Sequence, residues 1–374
     1  MTVEELLQDP IFTLPKNWRD SSEPSYYHFV TRTLGQYFEL VKRLEPIVID
    51  HRTEYVGRLG VLPYAELVCK AVRQLNIGIT RALQAYIDKG SPSIAMAELA
   101  KNLVLTEVEQ LYAPASHLSL HILREQETLY RLRADNLPLQ PREMFHIPYE
   151  KSYLVAPQRF SIAGQPCIYA ASSVNLAFKE IRATSFGLTL HAVKLRVNPV
   201  SKYAPVVLVD LRNRVEEVRA TYLGKPHRYD GQLIKFLVTW PLIMAASIPT
   251  EPKETFHAEY IIPHLMLEWI RSHQPENAPR LDGIAFSSSR VSLTDPDYLN
   301  AYNVVIPVHH WEKKGLCPVR TSQLLISAPV TRAMLPVALP ANTPDREVTH
   351  QVQLALEPLE LHELAPENEP TPAQ

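Results

Sequence analysis

The sequence predicts an α+β fold preceded by a helical N-terminal domain. Apolar residues recur at helical spacing as far as about residue 137, short β-rich runs begin after Ile147, and helices lie between those runs without regular βαβ repetition. The length of 374 residues exceeds one typical domain, and a hydrophobic fraction of 46% is enough for a full core. We therefore expect a helical domain over 1–140, a mixed α+β domain over 141–335 and a tail over 336–374.

The predicted N-terminal domain contains two strongly periodic segments, 26–48 and 65–90. Both place apolar residues at steps of three and four, which is the spacing of amphipathic helices. Gly90 is suited to end the second helix, because glycine readily adopts the left-handed conformation of a C-terminal cap. We expect this domain to have a regulatory, oligomerising or partner-binding role.

The predicted α+β domain alternates strand-like and helix-like segments. The strand candidates are SYLVA, PCIYAA, LTLHAVKLRV and PVVLVDL, and the helix candidates are VNLAFKEIRAT, QLIKFLVTWPLIMAA and AEYIIPHLMLEWIRS. The tail that follows is rich in proline and glutamate, and Arg346 is its only lysine or arginine. We expect a mobile acidic tail, within which the alternating apolar residues of 348–364 could add a strand or bind a partner.

Composition excludes several classes of protein. The formal net charge of −2 lacks the basic excess of a dedicated nucleic-acid binder. Three isolated cysteines form no CxxC pattern, and the histidines have no metal-ligand spacing, so no metal site is predicted. The N-terminus lacks the pattern of a signal peptide, and no apolar run is long enough to span a bilayer. We expect a cytoplasmic protein with reduced thiols and no membrane partner.

Two stretches combine polar side chains with otherwise apolar sequence. The first, 158–182, reads QRFSIAGQPCIYAASSVNLAFKEIR, and the second, 282–290, reads DGIAFSSSR. The first carries an arginine, a glycine turn, a tyrosine and a glutamate, which suit an anionic ligand with an aromatic ring. The second places three serines and an arginine where a strand should end, a common position for ligand contacts. Neither GxGxxG nor a Walker A loop occurs, so a Rossmann dinucleotide site and NTPase chemistry are not predicted.

Six motifs, in order along the chain, resemble the RES domain, a family named for a shared arginine, glutamate and serine. They are FHIPYEK, the RFS-x-x-G-x-P-x-x-Y run from Arg159 to Tyr169, Glu180, EYIIPHLMLEWIR, DGIAFSSSR and the Asn-Val-Val-Ile-Pro strand from Asn303. The resemblance implies a fold related to ADP-ribosyltransferases. Members of that family are NAD-consuming hydrolases or phosphorylases, and many are toxins silenced by an Xre-type antitoxin.

The resemblance assigns the central roles to three residues of the first stretch. Arg159 corresponds to the family arginine, and its guanidinium can bind phosphate through two hydrogen bonds. Tyr169 can stack on nicotinamide. Glu180 is expected to hold the ribose hydroxyls and to stabilise positive charge at the anomeric carbon, since glycosidic cleavage passes through an oxocarbenium-like sugar.

Further site residues follow from the second stretch and its surroundings. The family serine corresponds to Ser288, although Ser287 stands where the family often has proline, so the register among Ser287, Ser288 and Ser289 stays open. Arg290 and Lys151 are candidate phosphate contacts, and Asn303 is a candidate ligand contact. None of the serines is arranged in sequence with a histidine and an acid, so a hydrogen-bonding role is expected rather than a nucleophilic one.

The function implied by the resemblance is cleavage of the bond between nicotinamide and ribose in NAD, by a toxin or defence effector. NAD is then the substrate and no cofactor is needed, while inorganic phosphate would be the co-substrate of a phosphorylase. The implied partners are an Xre-type antitoxin or another regulatory protein, and a second copy of the chain in a homo-oligomer. Three alternatives stay open: an ADP-ribosyltransferase that modifies a macromolecule, a RES-like scaffold that binds without catalysis, and nucleic-acid binding by the helical domain, which has no basic helix in its favour.

Overall fold

The computed structural model describes residues 1–44, 64–103, 118–181, 189–224, 231–251, 255–272, 280–288, 291, 301–309, 312–335, 340 and 343–364. The α-helices, in chain order, are α1 (Val3–Gln8), α2 (Tyr26–Val41), α3 (Tyr64–Ile87), α4 (Pro92–Leu103), α5 (Pro141–Met144), α6 (Val174–Ile181), α7 (Val215–Tyr222), α8 (Gly231–Ser247), α9 (Ile261–Ser272), α10 (Pro318–Gln323) and α11 (Asp345–Leu356). The strands are β1 (Leu120–Leu123), β2 (Leu129–Asp135), β3 (Cys167–Ala171), β4 (Thr189–Val197), β5 (Val206–Leu211), β6 (Gly283–Ser287), β7 (Tyr302–Pro307), β8 (Leu324–Ser327), β9 (Val330–Thr331) and β10 (Leu361–His362). The predicted α+β class is confirmed. Within the described residues, every helix is too short or too polar to cross a bilayer.

The chain forms two compact units that differ from the predicted linear segments. One unit combines Met1–Leu120 with Val209–Arg280, and the other combines His121–Leu208 with Leu281–Gln374. The predicted α+β domain over 141–335 therefore contains helices that belong to the first unit. The physical reason is packing: α8 contacts α3, and α9 contacts both α3 and α4, so the later helices complete the core of the N-terminal ones.

The first unit is helical, and its core is fixed by aromatic and polar contacts. The ring of Tyr37 lies 4.2 Å from that of Trp240, and its hydroxyl donates a 2.7 Å hydrogen bond to the carbonyl of Leu237. Helix α3 ends at Ile87, and Gly90 follows with a positive φ of 58°, as the sequence predicts. The buried Glu259 accepts hydrogen bonds from two side chains of the N-terminal segment that precedes α2.

The second unit is built on a sheet with the strand order β1-β5-β6-β7-β3-β2-β4-β8-β10, with β9 paired to β4. The boundary between the units passes through β1 and β5. Strand β7 lies between β6 and β3 and is antiparallel to both. Strands β2 and β4 continue the antiparallel arrangement.

The register of β6, β7 and β3 decides which side chains share a face. Phe286 lies opposite Asn303, and Asn303 lies opposite Ala171. Because opposed residues point to the same side, these three side chains share one face with Tyr169, two residues before Ala171. The alternate residues of the three strands point the other way into a buried core that includes Ile168, Ala170, Ala285, Val304 and Ile306.

Two sequence expectations need correction. Residues 120–135 were expected to be helical, but β1 and β2 form there, because β2 pairs with β3 on one side and β4 on the other. The expected mobility of the tail is wrong for residues 343–364. Helix α11 buries Val352 and Leu356 in a cluster with α6, and β10 pairs with β8.

Candidate active site

The carboxylate of Glu180 is the meeting point of three distant segments. Its Oε1 accepts a 2.5 Å hydrogen bond from Ser288 Oγ and a 2.7 Å hydrogen bond from Asn303 Nδ2. Glu180 lies in the last turn of α6, Ser288 directly follows β6, and Asn303 is the second residue of β7. The structure thus brings together three of the residues that the sequence singled out.

Local structure explains why Ser288 lies at this position. A Cβ on Gly283 would approach the carbonyl oxygen of Val305 to 2.1 Å, so only glycine allows β6 to lie this close to β7. The preceding Asp282 forms a fully buried ion pair of 2.6 Å with Arg320, which fixes the start of β6. The Asp-Gly pair of DGIAFSSSR therefore has a structural role. Strand β6 is five residues long, and Ser288, the residue after it, contacts Glu180.

The contact with Glu180 bears on the serine register. Ser287 is opposed to Tyr302 in the sheet and so points to the other face from the neighbouring Phe286. The hydrogen bond to Glu180 is made by Ser288. Ser289 and Arg290 lie outside the described residues, so the prediction of Arg290 as a phosphate contact stays a prediction.

Asn303 carries a polar group that the described residues leave unpartnered. The residue is 1% exposed, and its Nδ2 donates a hydrogen bond to Glu180. A carboxylate only accepts hydrogen bonds, so the amide must turn its nitrogen to Glu180, which fixes the direction of Oδ1. Within the described part of the chain, Oδ1 has no hydrogen-bond partner. A buried carbonyl without a partner is costly, and a bound ligand or water can remove that cost.

An aromatic surface lies on the same face of the sheet as Asn303. The rings of Tyr169 and Phe286 are nearly perpendicular, with their centroids 5.9 Å apart, and the centroid of Phe286 lies 4.3 Å from that of Phe160. Tyr169 remains partly exposed, whereas Phe160 is fully buried. The surface can receive a flat heteroaromatic ring, the interaction expected of Tyr169 with nicotinamide.

Arg159 is connected to this aromatic surface through its neighbour in sequence. It occupies a two-residue turn with Phe160, closed by reciprocal backbone hydrogen bonds between Gln158 and Ser161 of 2.9 and 3.1 Å. Arg159 is partly exposed, as a phosphate-binding side chain must be. Lys151 is exposed on the 3-10 segment Tyr149–Leu154, and the described contacts of Glu180 do not include it.

Sequence reasoning missed Arg131, which lies in β2 behind Tyr169. Its guanidinium donates to the carbonyl of Tyr169 at 2.7 Å and to that of Met144 at 2.9 Å. Burial, reinforced by the positive charge of Arg133, lowers the pKa of Arg131 to about 10. The side chain thus holds the strand that carries Tyr169. The sequence did contain a signal: the segment YRLRAD alternates apolar and polar residues, as a strand does. An arginine on the buried face of such a strand must find hydrogen-bond acceptors.

A second polar cluster fixes the start of β7 on the opposite face. Tyr302, the neighbour of Asn303, donates a 2.5 Å hydrogen bond to Glu127, which also contacts His121 at 2.8 Å. Burial opposes the ionisation of Glu127, but these contacts and the backbone N–H of Arg124 outweigh it and lower the pKa of Glu127 to about 2. The cluster holds the residue beside Asn303 in place.

Comparison with known proteins gives one relative and no family. No protein-family model and no solved structure matches the chain. A protein of Bacillus subtilis (strain 168) named "Putative toxin YopC" is 28% identical to the chain over 291 residues. The match takes in 74% of this chain and 63% of the relative, so the chain spans less than two thirds of the length of that protein. The chain is similar to a bacterial protein that is named as a toxin, and the RES resemblance rests on the motifs alone.

Proposed function

We propose that the chain is a toxin that degrades NAD by cleaving the bond between nicotinamide and ribose. The observation that carries the proposal is the convergence of Ser288 and Asn303 on the carboxylate of Glu180, on the sheet face that also carries Tyr169. The toxin role is supported by the similarity to the Bacillus subtilis protein. The reaction is supported by the chemistry that this arrangement offers.

The carboxylate of Glu180 suits the charge that develops during the reaction. When the glycosidic bond breaks, its electron pair leaves with the ring nitrogen of nicotinamide, and positive charge develops on the ribose. A carboxylate held in a fixed position stabilises that charge without having to reorganise. Both hydrogen bonds that described residues donate to Glu180 go to Oε1, so Oε2 is the oxygen that can meet a ribose hydroxyl.

Asn303 and Tyr169 complete the proposed contacts with the substrate. The buried Oδ1 of Asn303 can accept a hydrogen bond from a ribose hydroxyl or from the carboxamide of nicotinamide. The ring of Tyr169 offers an aromatic face to the cationic nicotinamide. Arg159 is proposed to bind the diphosphate.

The acceptor of the ADP-ribosyl group can be water, phosphate or a macromolecule. Water adds to the anomeric carbon and releases one proton to solvent, which gives ADP-ribose. Phosphate adds at the same carbon and gives the phosphorylated product. All three reactions share the same cleavage step, so the contacts of Glu180 are equally suited to each.

The proposed biological setting is the cytoplasm, where a toxin of this kind requires control by a partner such as an Xre-type antitoxin. The described cysteines, Cys69, Cys167 and Cys317, are free thiols, in keeping with a reducing compartment. The first unit and a second copy of the chain are further candidates for regulation.

Product analysis tests the proposal. Purified protein is incubated with NAD in buffer with and without inorganic phosphate, and the products are separated and identified by mass. Nicotinamide with ADP-ribose identifies a hydrolase, and nicotinamide with a phosphorylated ADP-ribose identifies a phosphorylase. ADP-ribose attached to protein or nucleic acid identifies a transferase. Intact NAD after all these incubations, with folded protein free of co-purified partners, favours the non-catalytic scaffold.

A further inference from the structure

A cleft of about 630 Å³ opens beside α6 in the second unit. Its volume lies within the usual range of small-molecule sites. Its lining includes Ser172, Ser173, Ala301, Arg346, Glu347 and His350. The lining comes from the turn between β3 and α6, from the first turn of α6, from the residue before β7, and from α11 with the residue preceding it.

The cleft lies at the same edge of the sheet as the Glu180 cluster. Ser172 directly follows β3, Ala301 directly precedes β7, and Ser288 directly follows β6. Because β3 and β6 are both antiparallel to β7, these three positions fall at one edge. Ser172 also exchanges hydrogen bonds with Tyr302, the neighbour of Asn303: its backbone N–H donates to the carbonyl at 2.9 Å, and its Oγ accepts from the backbone N–H at 3.1 Å.

Helix α6 runs from the cleft to the Glu180 cluster. Ser173 caps the helix at the cleft, where its Oγ accepts a 3.1 Å hydrogen bond from the backbone N–H of Leu176, and Glu180 lies near the other end. At 1.5 Å per residue the distance along the helix is roughly 10 Å. One extended dinucleotide can span it.

The chemistry of the lining suits a nucleoside diphosphate. Arg346 and His350 are four residues apart on α11 and therefore lie on one helix face. Arg346 is the only lysine or arginine within 336–374, and it is at the cleft. The hydroxyl of Ser173 keeps its own proton to donate, because its oxygen accepts from the backbone. The carboxylate of Glu347 can accept hydrogen bonds from a ribose diol.

The wall contributed by α11 is held by two hydrogen bonds near the C-terminal end of that helix. Gln353 Oε1 accepts from the backbone N–H of Val174, the first residue of α6, at 3.2 Å. Lys194 Nζ donates a 2.7 Å hydrogen bond to the carbonyl of Glu357, the residue that caps α11. This part of the cleft wall is therefore fixed before a ligand binds, which lowers the entropic cost of binding.

We propose that this cleft binds the adenosine diphosphate part of NAD, with Arg346 on the diphosphate and Glu347 on the ribose of adenosine. The assignment rests on the proposed function, which sets the nicotinamide ribose at Glu180. It gives the C-terminal segment a part in substrate binding. An arginine that binds phosphate equally in the ground state and the transition state lowers KM rather than raising kcat.

The binding of ADP tests the proposal independently of turnover. ADP affinity is measured by calorimetry for the wild-type chain, for Arg346→Ala and for Arg124→Ala, a matched control at an exposed arginine outside the cleft. We expect Arg346→Ala to weaken ADP binding about tenfold or more, as loss of a charge-assisted phosphate contact does, and Arg124→Ala to leave it unchanged. For NAD cleavage, Arg346→Ala should raise KM more than it lowers kcat.

The outcomes separate this proposal from the proposed function. Equal ADP affinity of wild type and Arg346→Ala, or no ADP binding by the wild type, overturns the assignment of the cleft even if NAD is cleaved. Weakened ADP binding in Arg346→Ala without any NAD turnover keeps the cleft as a nucleoside diphosphate site and removes the proposed reaction. Because Arg346 is exposed, the variant should fold, which a melting curve checks.

Discussion

Ser288 and Glu180 are 108 residues apart in the sequence, yet Ser288 Oγ donates a 2.5 Å hydrogen bond to Glu180 Oε1. The contact depends on two local features: β6 ends at Ser287, and α6 carries Glu180 in its last turn. Asn303 reaches the same oxygen from β7 at 2.7 Å. The carboxylate is therefore held by donors from two neighbouring strands.

Replacing Ser288 with alanine should lower the kcat of the proposed NAD cleavage about tenfold, because the carboxylate of Glu180 loses one of the two donors that orient it. Ser287→Ala is the matched control, since Ser287 is the preceding residue and lies opposite Tyr302 in the sheet, and the activity of this variant should stay near that of the wild type. Steady-state kinetics of both variants checks the prediction. Equal losses in the two variants would contradict the assignment of Ser288.

Replacing Gly283 with alanine should destabilise the second unit and abolish activity. The added Cβ would lie 2.1 Å from the carbonyl oxygen of Val305, so β6 must move away from β7 and carry Ser288 with it. Gly35→Ala is the control, because nothing lies within 4 Å of its Cβ position in α2, and alanine favours helix by about 1 kcal/mol. Thermal melting should show a loss for the first variant and none for the second.

Helix α11 should contribute to stability through its buried face. Leu356 is fully buried against the cluster around α6, and Leu356→Ala should cost roughly 2–5 kcal/mol through lost apolar contacts and the cavity left behind. Leu354 is 43% exposed on the same helix, so Leu354→Ala should cost far less. Melting temperatures of the two variants test this. Equal effects would mean that the tail is not packed in solution.

The stability of the second unit should fall as the pH drops below 6.5, because of His146. Its ring is buried, with Nδ1 donating to the carbonyl of Ile147 at 2.8 Å and Nε2 accepting from the backbone N–H of Cys317 at 2.8 Å, which requires the neutral form. Burial, together with nearby arginines, lowers the pKa of His146 to about 4. Between pH 6.5 and 4, His146 is protonated in the unfolded chain but stays neutral in the folded chain, so the folded state loses stability over that pH range.

The expected loss from His146 is about 2 kcal/mol on going from pH 7 to pH 5. Melting curves of the wild type and His146→Gln at the two pH values isolate this contribution. The variant should be less stable at pH 7 but should lose less stability between pH 7 and pH 5. The same pH dependence in both proteins would show that His146 titrates normally.

The fold class and several residues of the candidate site could be predicted from the sequence, whereas the arrangement of those residues depends on long-range packing. The α+β class follows from the change in periodicity after Ile147. The motifs also singled out Glu180, Ser288 and Asn303 one by one, but their convergence depends on the pairing of β6 with β7, which a single sequence does not specify. Arg131 was missed because its segment was expected to be helical, and the strand β2 that carries it depends on long-range pairing with β3 and β4.

The domain boundaries were also difficult to predict, because they too depend on long-range packing. Helices α8 and α9 follow the motif Arg159–Tyr169 in sequence and were assigned to the catalytic domain on that order. Their apolar faces pack on α3 instead, and this long-range choice leaves no local signal. In the tail, the high proline and glutamate content of 336–374 predicted disorder, although Val352 and Leu356, two buried apolar residues of α11, are four residues apart and pack one helix face against α6.

The most direct test of the proposed reaction is the rate of nicotinamide release from NAD by the wild type, by Glu180→Gln and by Glu125→Gln. The first substitution keeps the shape of the side chain and removes the charge that should stabilise the ribose, and Glu125 is an exposed control outside the cluster. We predict measurable release by the wild type and Glu125→Gln, and at least a hundredfold slower release by Glu180→Gln. Release that is unaffected by Glu180→Gln, or absent from the wild type, would contradict the role assigned to this carboxylate.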